Sequence, residues 1–185
     1  MVAFRYVLFA AVVFLLVTLL AAKDAEAHNW YPDDGCGPGL SSDGYFWADG
    51  PASGWGTVAN GWNGCSMWTL TQQQTYPAIQ YAEWYLPISS SYNHTYNLQA
   101  YVPDMGASCS SLSQGAHYHR YANGTAGGIN SHHSFNQSTN CSGFCYTFTQ
   151  GALNGSNGGK VDVWDWTFDG GVTRFLMVDV FCFRQ

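Results

Sequence analysis

The chain has 185 residues, of which 17% are aromatic and only 10% are charged, and its formal net charge is −6. After residue 27 it carries ten acidic and four basic residues, so it has no basic patch that would neutralise phosphates, and this excludes a nucleic-acid-binding domain. The length suits one domain with a hydrophobic core, and the many aromatic residues exclude a disordered tail.

The N-terminal segment has the features of a secretory signal peptide. A positively charged start precedes an apolar run over residues 7–22, which is shorter than the roughly 20 apolar residues of a membrane-spanning helix. Residues 25–27 read Ala-Glu-Ala, the pattern of a signal-peptidase cleavage site. We therefore predict secretion with removal of residues 1–27; the competing cut, after Ala22, retains a short leader.

All six cysteines lie after the predicted cleavage site. An even number of cysteines in an oxidising compartment predicts disulfides, although six cysteines allow 15 pairings and the sequence does not choose among them. Cys36 and Cys65 flank one glycine-rich region, so we predict that they form the first pair. The complete set is Cys36, Cys65, Cys109, Cys141, Cys145 and Cys182.

Five Asn-x-Ser/Thr sequons follow one another along the second half of the chain. In a eukaryotic secretory pathway they would accept glycans and lie at the surface. The alternative is that a chain rich in Asn, Ser and Thr contains sequons by chance. The asparagines are Asn93, Asn123, Asn136, Asn140 and Asn154.

The first half of the predicted domain alternates between turns and short strands. Asp-Gly and Asn-Gly pairs between residues 34 and 64 indicate turns. Apolar and β-prone runs between these turns and up to Pro87 predict strands at residues 45–47, 66–71 and 82–86.

The second half shows a stronger strand pattern and no convincing helix. Residues 96–102 alternate apolar and polar side chains with period two, which is typical of a half-buried strand. Residues 116–122 and 161–166 alternate in the same way, and further strands are predicted at residues 132–137, 145–149 and 175–183. Several short strands separated by turns predict one all-β domain over residues 28–185, a jelly-roll-like β-sandwich of mainly antiparallel strands stapled by disulfides.

The order of these strands resembles a known family. Residues 82–87 (AEWYLP) and 96–103 (YNLQAYVP) resemble the strand pair A-x-W-x-x-P and Y-x-V-x-A-x-x-P of golvesin-like domains, which occur at the C terminus of xanthan-lyase-type and other secreted proteins. Further blocks follow in the family's order at residues 116–121, 135–137, 146–148, 159–165 and 177–183. The resemblance implies a carbohydrate-binding-like β-sandwich. The six cysteines, the His-rich middle and the lack of an attached catalytic module depart from the family.

Aromatic residues are the first candidates for a binding site, since flat rings stack on the C–H faces of sugars while amides and carboxylates bind the hydroxyls. Trp55 and Trp62 lie in a Gly- and Asn-rich segment where an exposed platform can form, beside Asn60 and Asn63. Trp166 is a further candidate. The alternative for any tryptophan in a sandwich is core packing, which we expect for Trp68, Trp84 and Trp164.

Histidines are the second candidates. His117 and His119 are two residues apart and share one face of a strand, where they can bind zinc or copper. Cleavage after residue 27 would make His28 the N-terminus, and an N-terminal His with a second His resembles the histidine brace of copper-dependent polysaccharide monooxygenases. The chain shows none of that group's other sequence blocks, so ordinary histidines are the expectation and no metal or cofactor is favoured, with copper or structural calcium as the alternatives.

Carboxylates give the least specific signal. Glycoside hydrolysis needs two of them, and Glu83, the only glutamate after residue 27, has the surroundings of an ordinary strand residue. Asp179 lies inside an apolar run, where an ionised group needs partners, and we expect it to accept hydrogen bonds from a loop or to face Arg120.

The sequence thus predicts a secreted, non-catalytic carbohydrate-binding-like module for a cell-wall or extracellular polysaccharide or a cell-surface glycan. Two alternatives remain: a copper-dependent polysaccharide monooxygenase that uses His28, and a structural surface protein without a sugar ligand.

Overall fold

The computed structural model describes most of the predicted domain, and none of the predicted signal peptide. The described residues are 29–33, 39–40, 44–50, 54–73, 78–167 and 169–185. His28 and Cys36 lie outside them, as do residues 1–27. Within the described ranges, no helix combines the length and the apolar character that crossing a membrane requires.

Strands dominate the described residues, in which the helical segments are short 3-10 turns. The strands are β1 (Gly39–Leu40), β2 (Phe46–Asp49), β3 (Gly56–Val58), β4 (Ser66–Leu70), β5 (Gln72–Gln73), β6 (Tyr81–Tyr85), β7 (His94–Val102), β8 (Ala116–Tyr121), β9 (Ser131–Phe135), β10 (Phe144–Leu153), β11 (Lys160–Trp164), β12 (Trp166–Thr167), β13 (Phe175–Val178) and β14 (Phe181–Arg184). The 3-10 turns are Ser90–Tyr92, Gly106–Ser111, Thr125–Gly127, Gln137–Thr139 and Gly155–Asn157.

The strands form two principal sheets and two small ones. A six-stranded sheet has the order β1-β2-β6-β11-β8-β9, and a three-stranded sheet has the order β10-β7-β14, with every pair antiparallel. A second three-stranded sheet has the order β13-β4-β3, and β12 pairs with β5 in parallel. The predicted all-β sandwich of mainly antiparallel strands is confirmed.

The core lies between the two principal sheets and is rich in rings. Trp84 on β6 is buried and contacts Phe46 on β2, with ring centroids 5.7 Å apart. It also contacts Phe181 of the opposite sheet at 5.3 Å. Burying a large apolar side chain contributes about 1.5–3 kcal/mol, so such rings supply much of the force that holds the sheets together. The predicted core position of Trp84 is confirmed.

The predicted strand at residues 161–166 is divided at Asp165, which separates β11 from β12. Asp165 is fully buried, and its carboxylate accepts hydrogen bonds from the backbone N–H groups of Ile79 and Gln80 and from the side chain of Gln72. A buried carboxylate requires several donors, and here the donors come from neighbouring segments at the point where the strand pairing changes.

The predicted strand at residues 175–183 is likewise divided, at Asp179. Its buried carboxylate accepts hydrogen bonds from the backbone N–H groups of Trp62 and Val180 and from the hydroxyl of Ser66. The expectation that Asp179 accepts hydrogen bonds from a loop is confirmed.

Disulfides staple the sandwich, as predicted. Cys109 pairs with Cys141, and Cys145 on β10 pairs with Cys182 on β14, the two strands that flank β7. Cys65 is also disulfide-bonded. The predicted partner of Cys65 lies outside the described residues, so that pairing stays a prediction.

Candidate ligand groove and histidine cluster

The outer face of the six-stranded sheet carries polar and aromatic side chains in register. Because strand residues point alternately to the two faces, the residues next to buried core residues along each strand point outward. Five of them align across β2, β6, β11, β8 and β9 as a central row: Trp47, Glu83, Asp162, His119 and His132. Side chains directly opposite on paired strands are about 5 Å apart, so neighbours in this row interact.

Two further rows flank the central one. On one side the register aligns Asp49, Tyr81, Trp164, His117 and Ser134. On the other side it aligns Tyr85, Lys160 and Tyr121. Together the three rows form a surface in which rings alternate with ionisable groups.

A groove of about 420 Å3 lies on this outer face, and we call it the outer groove. Three rings line it, from Tyr81, Tyr121 and Trp164. Three charged side chains also line it: Glu83, Lys160 and Asp162. Aromatic residues and ionisable groups therefore converge on one concave site.

The charged groups of the outer groove are buried and paired. The ammonium of Lys160 contacts the carboxylate of Glu83, and their side chains are 4% and 11% exposed. The hydroxyl of Tyr85 donates to the same carboxylate. The ammonium also lies 4.6 Å from the ring centroid of Tyr121, a cation–π contact. These contacts compensate the desolvation of both charges.

The ring of Tyr81 forms one wall of the outer groove, and its hydroxyl is fixed by a hydrogen bond. Its hydroxyl donates to the carboxylate of Asp49 at 3.0 Å. Burial, together with this carboxylate, raises the pKa of Tyr81 to about 12, so the phenol keeps its proton at neutral pH. Trp47 stands nearby in the register and is 37% exposed.

Next to the outer groove, three imidazoles form a histidine cluster: His117, His119 and His132. The ring centroid of His119 lies 4.5 Å from that of His117 and 4.9 Å from that of His132. One nitrogen of each ring lies within 4.8 Å of the others. Burial, with the two neighbouring imidazoles, lowers the pKa of His117 to about 4.

Asp162 connects the outer groove to the histidine cluster. Its carboxylate accepts a hydrogen bond from Nδ1 of His119 at 2.6 Å. The other nitrogen of His119, Nε2, is buried and has no hydrogen-bond partner among the described residues.

Two indoles cover one side of the histidine cluster. The rings of Trp164 and Trp166 are stacked, with centroids 5.7 Å apart and planes 25° apart. Trp164 lies 4.5 Å from His119, and Trp166 lies 5.7 Å from His117. Trp166 is half-buried. The expected core burial of Trp164 is wrong, because its strand position points to the outer face, where it is half-buried.

A second aromatic surface lies at the turn formed by residues 61–64, which we call the Trp62 turn. Trp62 is 44% exposed and stacks on Tyr31 with ring centroids 5.6 Å apart, as the predicted platform requires. The backbone N–H of Gly64 donates to the carbonyl of Gly61 at 3.2 Å, and Gly64 has a φ of 89°, which favours glycine. The carboxylate of Asp179 holds the N–H of Trp62 at 3.0 Å.

The structure does not bring the five predicted ligand-binding residues together. Asn60 donates to the carbonyl of Asp104, and Asn63 donates to the carboxylate of Asp33. Trp55 is half-buried against the core and donates through Nε1 to the carbonyl of Asp49.

Trp62 and Asn63 are exposed in one turn, whereas Trp166 lies beside the histidines. Trp68, expected in the core, is half-buried and packs against it.

Several residues of the outer groove and cluster are absent from the predicted set. Glu83 and Lys160 align only through the pairing of β6 with β11, and His132 meets His119 only through the pairing of β8 with β9. The alternation of residues 116–122 and 161–166 indicated which side chains share a face. No local sequence pattern predicts the strand order that places those faces side by side.

The sequons differ in their environments. Asn93 and Asn123 are exposed, which fits the expected surface position. The other three are half-buried: Asn136 caps the turn Gln137–Thr139, Asn140 donates to the carbonyl of Asn136, and the side-chain oxygen of Asn154 is buried. Glycosylation stays a prediction at all five.

Comparison with protein-family models, with curated proteins and with solved structures finds no match to this chain. The resemblance to golvesin-like domains therefore stays a prediction that rests on the sequence blocks.

Proposed function

We propose that this protein is a secreted, non-catalytic carbohydrate-binding module, and that its outer groove receives one or more sugar units of an extracellular polysaccharide or cell-surface glycan. The observation that carries the proposal is the convergence of Tyr81, Tyr121 and Trp164 with Glu83, Lys160 and Asp162 in one groove.

The chemistry of the outer groove matches that of a sugar. Aromatic faces stack on the apolar C–H faces of pyranose rings, while carboxylate, ammonium and phenol groups exchange hydrogen bonds with hydroxyls. Its volume of about 420 Å3 falls within the range of about 300–1,000 Å3 that is usual for small-molecule sites. Because the charged groups already hold one another, the groove is preorganised, which lowers the entropy cost of binding.

The same pairing favours binding over hydrolysis. A glycoside hydrolase uses one carboxylic acid as a proton donor and a second carboxylate as base or nucleophile. Here Glu83 is engaged by Lys160 and Tyr85, and Asp162 is engaged by His119. Both carboxylates are therefore held as hydrogen-bond acceptors, which favours binding of hydroxyls over proton donation to a glycosidic oxygen.

The expected compartment is extracellular. The support is the signal-peptide pattern of residues 1–27, together with the disulfides Cys109–Cys141 and Cys145–Cys182, which persist in oxidising environments.

The test is a glycan array that includes plant, fungal and bacterial wall polysaccharides, followed by titration of the best ligand. The protein is secreted from the full-length precursor as wild type, as Tyr81→Ala and as Tyr81→Phe. We expect Tyr81→Ala to weaken binding at least tenfold, because it removes a groove wall. Tyr81→Phe keeps the ring and should retain most of the affinity.

The matched control is Trp62→Ala, which removes an equally aromatic but separate surface. We expect it to bind the glycan within about twofold of wild type. The proposal is wrong if wild type binds no glycan, or if Trp62→Ala loses binding while Tyr81→Ala retains it.

A further inference from the structure

We propose that His117, His119 and His132 bind a single Zn2+ ion, with Asp162 as the carboxylate that orients His119. The inference does not rest on sugar binding. The proposed ligands are imidazole nitrogens of residues that do not line the outer groove, and zinc binding is measured in the absence of glycan.

Two paired strands supply the three imidazoles. His117 and His119 are two residues apart on β8 and so point to the same face, and His132 on β9 lies directly opposite His119. The ligating nitrogens lie within 4.8 Å of one another. Around a tetrahedral Zn2+ with bonds of about 2.0–2.1 Å, such nitrogens stand about 3.3 Å apart, so small side-chain rotations bring the three onto one ion.

The hydrogen bond of His119 is the second, independent observation. A carboxylate oxygen of Asp162 accepts from Nδ1, so Nδ1 carries the proton and Nε2 presents its lone pair. That nitrogen is buried, in a side chain with no exposed surface, and has no hydrogen-bond partner among the described residues. A buried acceptor left without a partner is destabilising, and a bound metal ion would remove this penalty.

A carboxylate that fixes one imidazole nitrogen while the other faces an ion is the usual arrangement around protein-bound zinc. Here Asp162 belongs to β11, on the far side of β8 from His132. Asp162, His119 and His132 are consecutive members of the central row, so the sheet itself orients the ligand.

The histidine cluster has one side covered by indole rings and one side accessible to solvent. Trp164 and Trp166 cover His119 and His117, whereas His132 is exposed. Three neutral nitrogen ligands suit zinc, and three protein ligands leave a fourth position for water or another ligand. We place that position on the accessible side.

The test is isothermal titration of the metal-stripped protein with Zn2+ alone, in the absence of glycan. We expect one Zn2+ per chain, with a micromolar or tighter dissociation constant. His132→Ala removes an exposed ligand, so the fold should survive, as checked by thermal unfolding, while zinc affinity falls at least 100-fold. With Co2+ in place of Zn2+, wild type should show the visible absorption of a four-coordinate site, and His132→Ala should not.

His133→Ala is the matched control. His133 is adjacent on the same strand but points to the other face, where its ring nitrogen is hydrogen-bonded to Ser131. We expect this variant to bind zinc within about threefold of wild type. Asp162→Asn should weaken zinc binding 10- to 100-fold, the usual effect of removing such a partner.

A further variant, His28→Ala, separates this site from the histidine brace considered above. Binding that survives His28→Ala and is lost in His132→Ala supports the proposal. It is overturned if wild type binds no zinc, if His132→Ala binds as tightly as wild type, or if loss occurs only in His28→Ala.

Discussion

The outer groove and the Trp62 turn are both aromatic, yet they are built in different ways. In the outer groove, rings and charges come from paired strands, and each charge has a partner on the same or the next strand. In the Trp62 turn, the exposed indole projects from a loop that the buried Asp179 holds through one backbone N–H. The Trp62 turn exposes its indole to solvent, whereas the outer groove brings rings and charged side chains together in one concave site.

The difference separates two properties of a candidate binding site, the exposure of its rings and the convergence of its polar groups. The stacked pair of Trp62 and Tyr31 offers a flat apolar surface, but the nearby amides of Asn60 and Asn63 are already bound to Asp104 and Asp33. The outer groove combines rings with ionisable groups fixed in place. Stability experiments test the two regions separately, through the buried Lys160–Glu83 pair of the groove and through the Asp179 anchor of the turn.

The largest effect is expected from Lys160→Met in the outer groove. Removing the ammonium leaves Glu83 buried without its counter-ion, and breaking such a pair costs about 3–5 kcal/mol. Urea unfolding at pH 7 measures the loss. The double variant Glu83→Gln/Lys160→Met removes both charges and should recover most of the stability. A single variant as stable as wild type would contradict the description of a buried, preorganised pair.

A smaller effect is expected at the anchor of the Trp62 turn. Burial raises the pKa of Asp179 to about 7, whereas an unfolded Asp has a pKa of about 3.9. The carboxyl group of Asp179 therefore binds its proton more tightly in the folded state than in the unfolded state. Its contribution to the free energy of unfolding is fully present below about pH 4 and is lost as the pH rises through about 7. Relative to Asp179→Asn, wild type should lose on the order of 2 kcal/mol between pH 5 and pH 8.

Urea unfolding of both proteins across this pH range isolates the Asp179 contribution, because other titrating groups, such as His117, contribute equally to both. Parallel pH profiles for wild type and Asp179→Asn would show that this carboxyl does not titrate as described. A larger loss at low pH in wild type would reverse the predicted sign.

The local patterns predicted much of the fold. The alternation of residues 96–102 and 116–122 identified β7 and β8, and the even cysteine number indicated disulfides. The two divided strands were missed because an alternating run does not reveal that Asp165 or Asp179 draws N–H groups from other segments.

The site was less predictable for a related physical reason. His117 and His119 share a face by local alternation, so they could be paired from the sequence. His132 and Asp162 join them only through the strand order β11-β8-β9, which depends on long-range pairing. The exposure of Trp62 could be predicted because loop position is a local property, whereas the outer groove forms only once the three strands β6, β11 and β8 are aligned.

The most direct test of glycan binding in the outer groove is to map the bound glycan by amide chemical-shift changes in the 15N-labelled protein. We expect the largest changes in the outer groove, at Tyr81, Tyr121, Lys160 and Trp164, with little change at Trp62 and Asn63. Changes concentrated on the Trp62 turn, with the outer groove unaffected, would contradict this expectation.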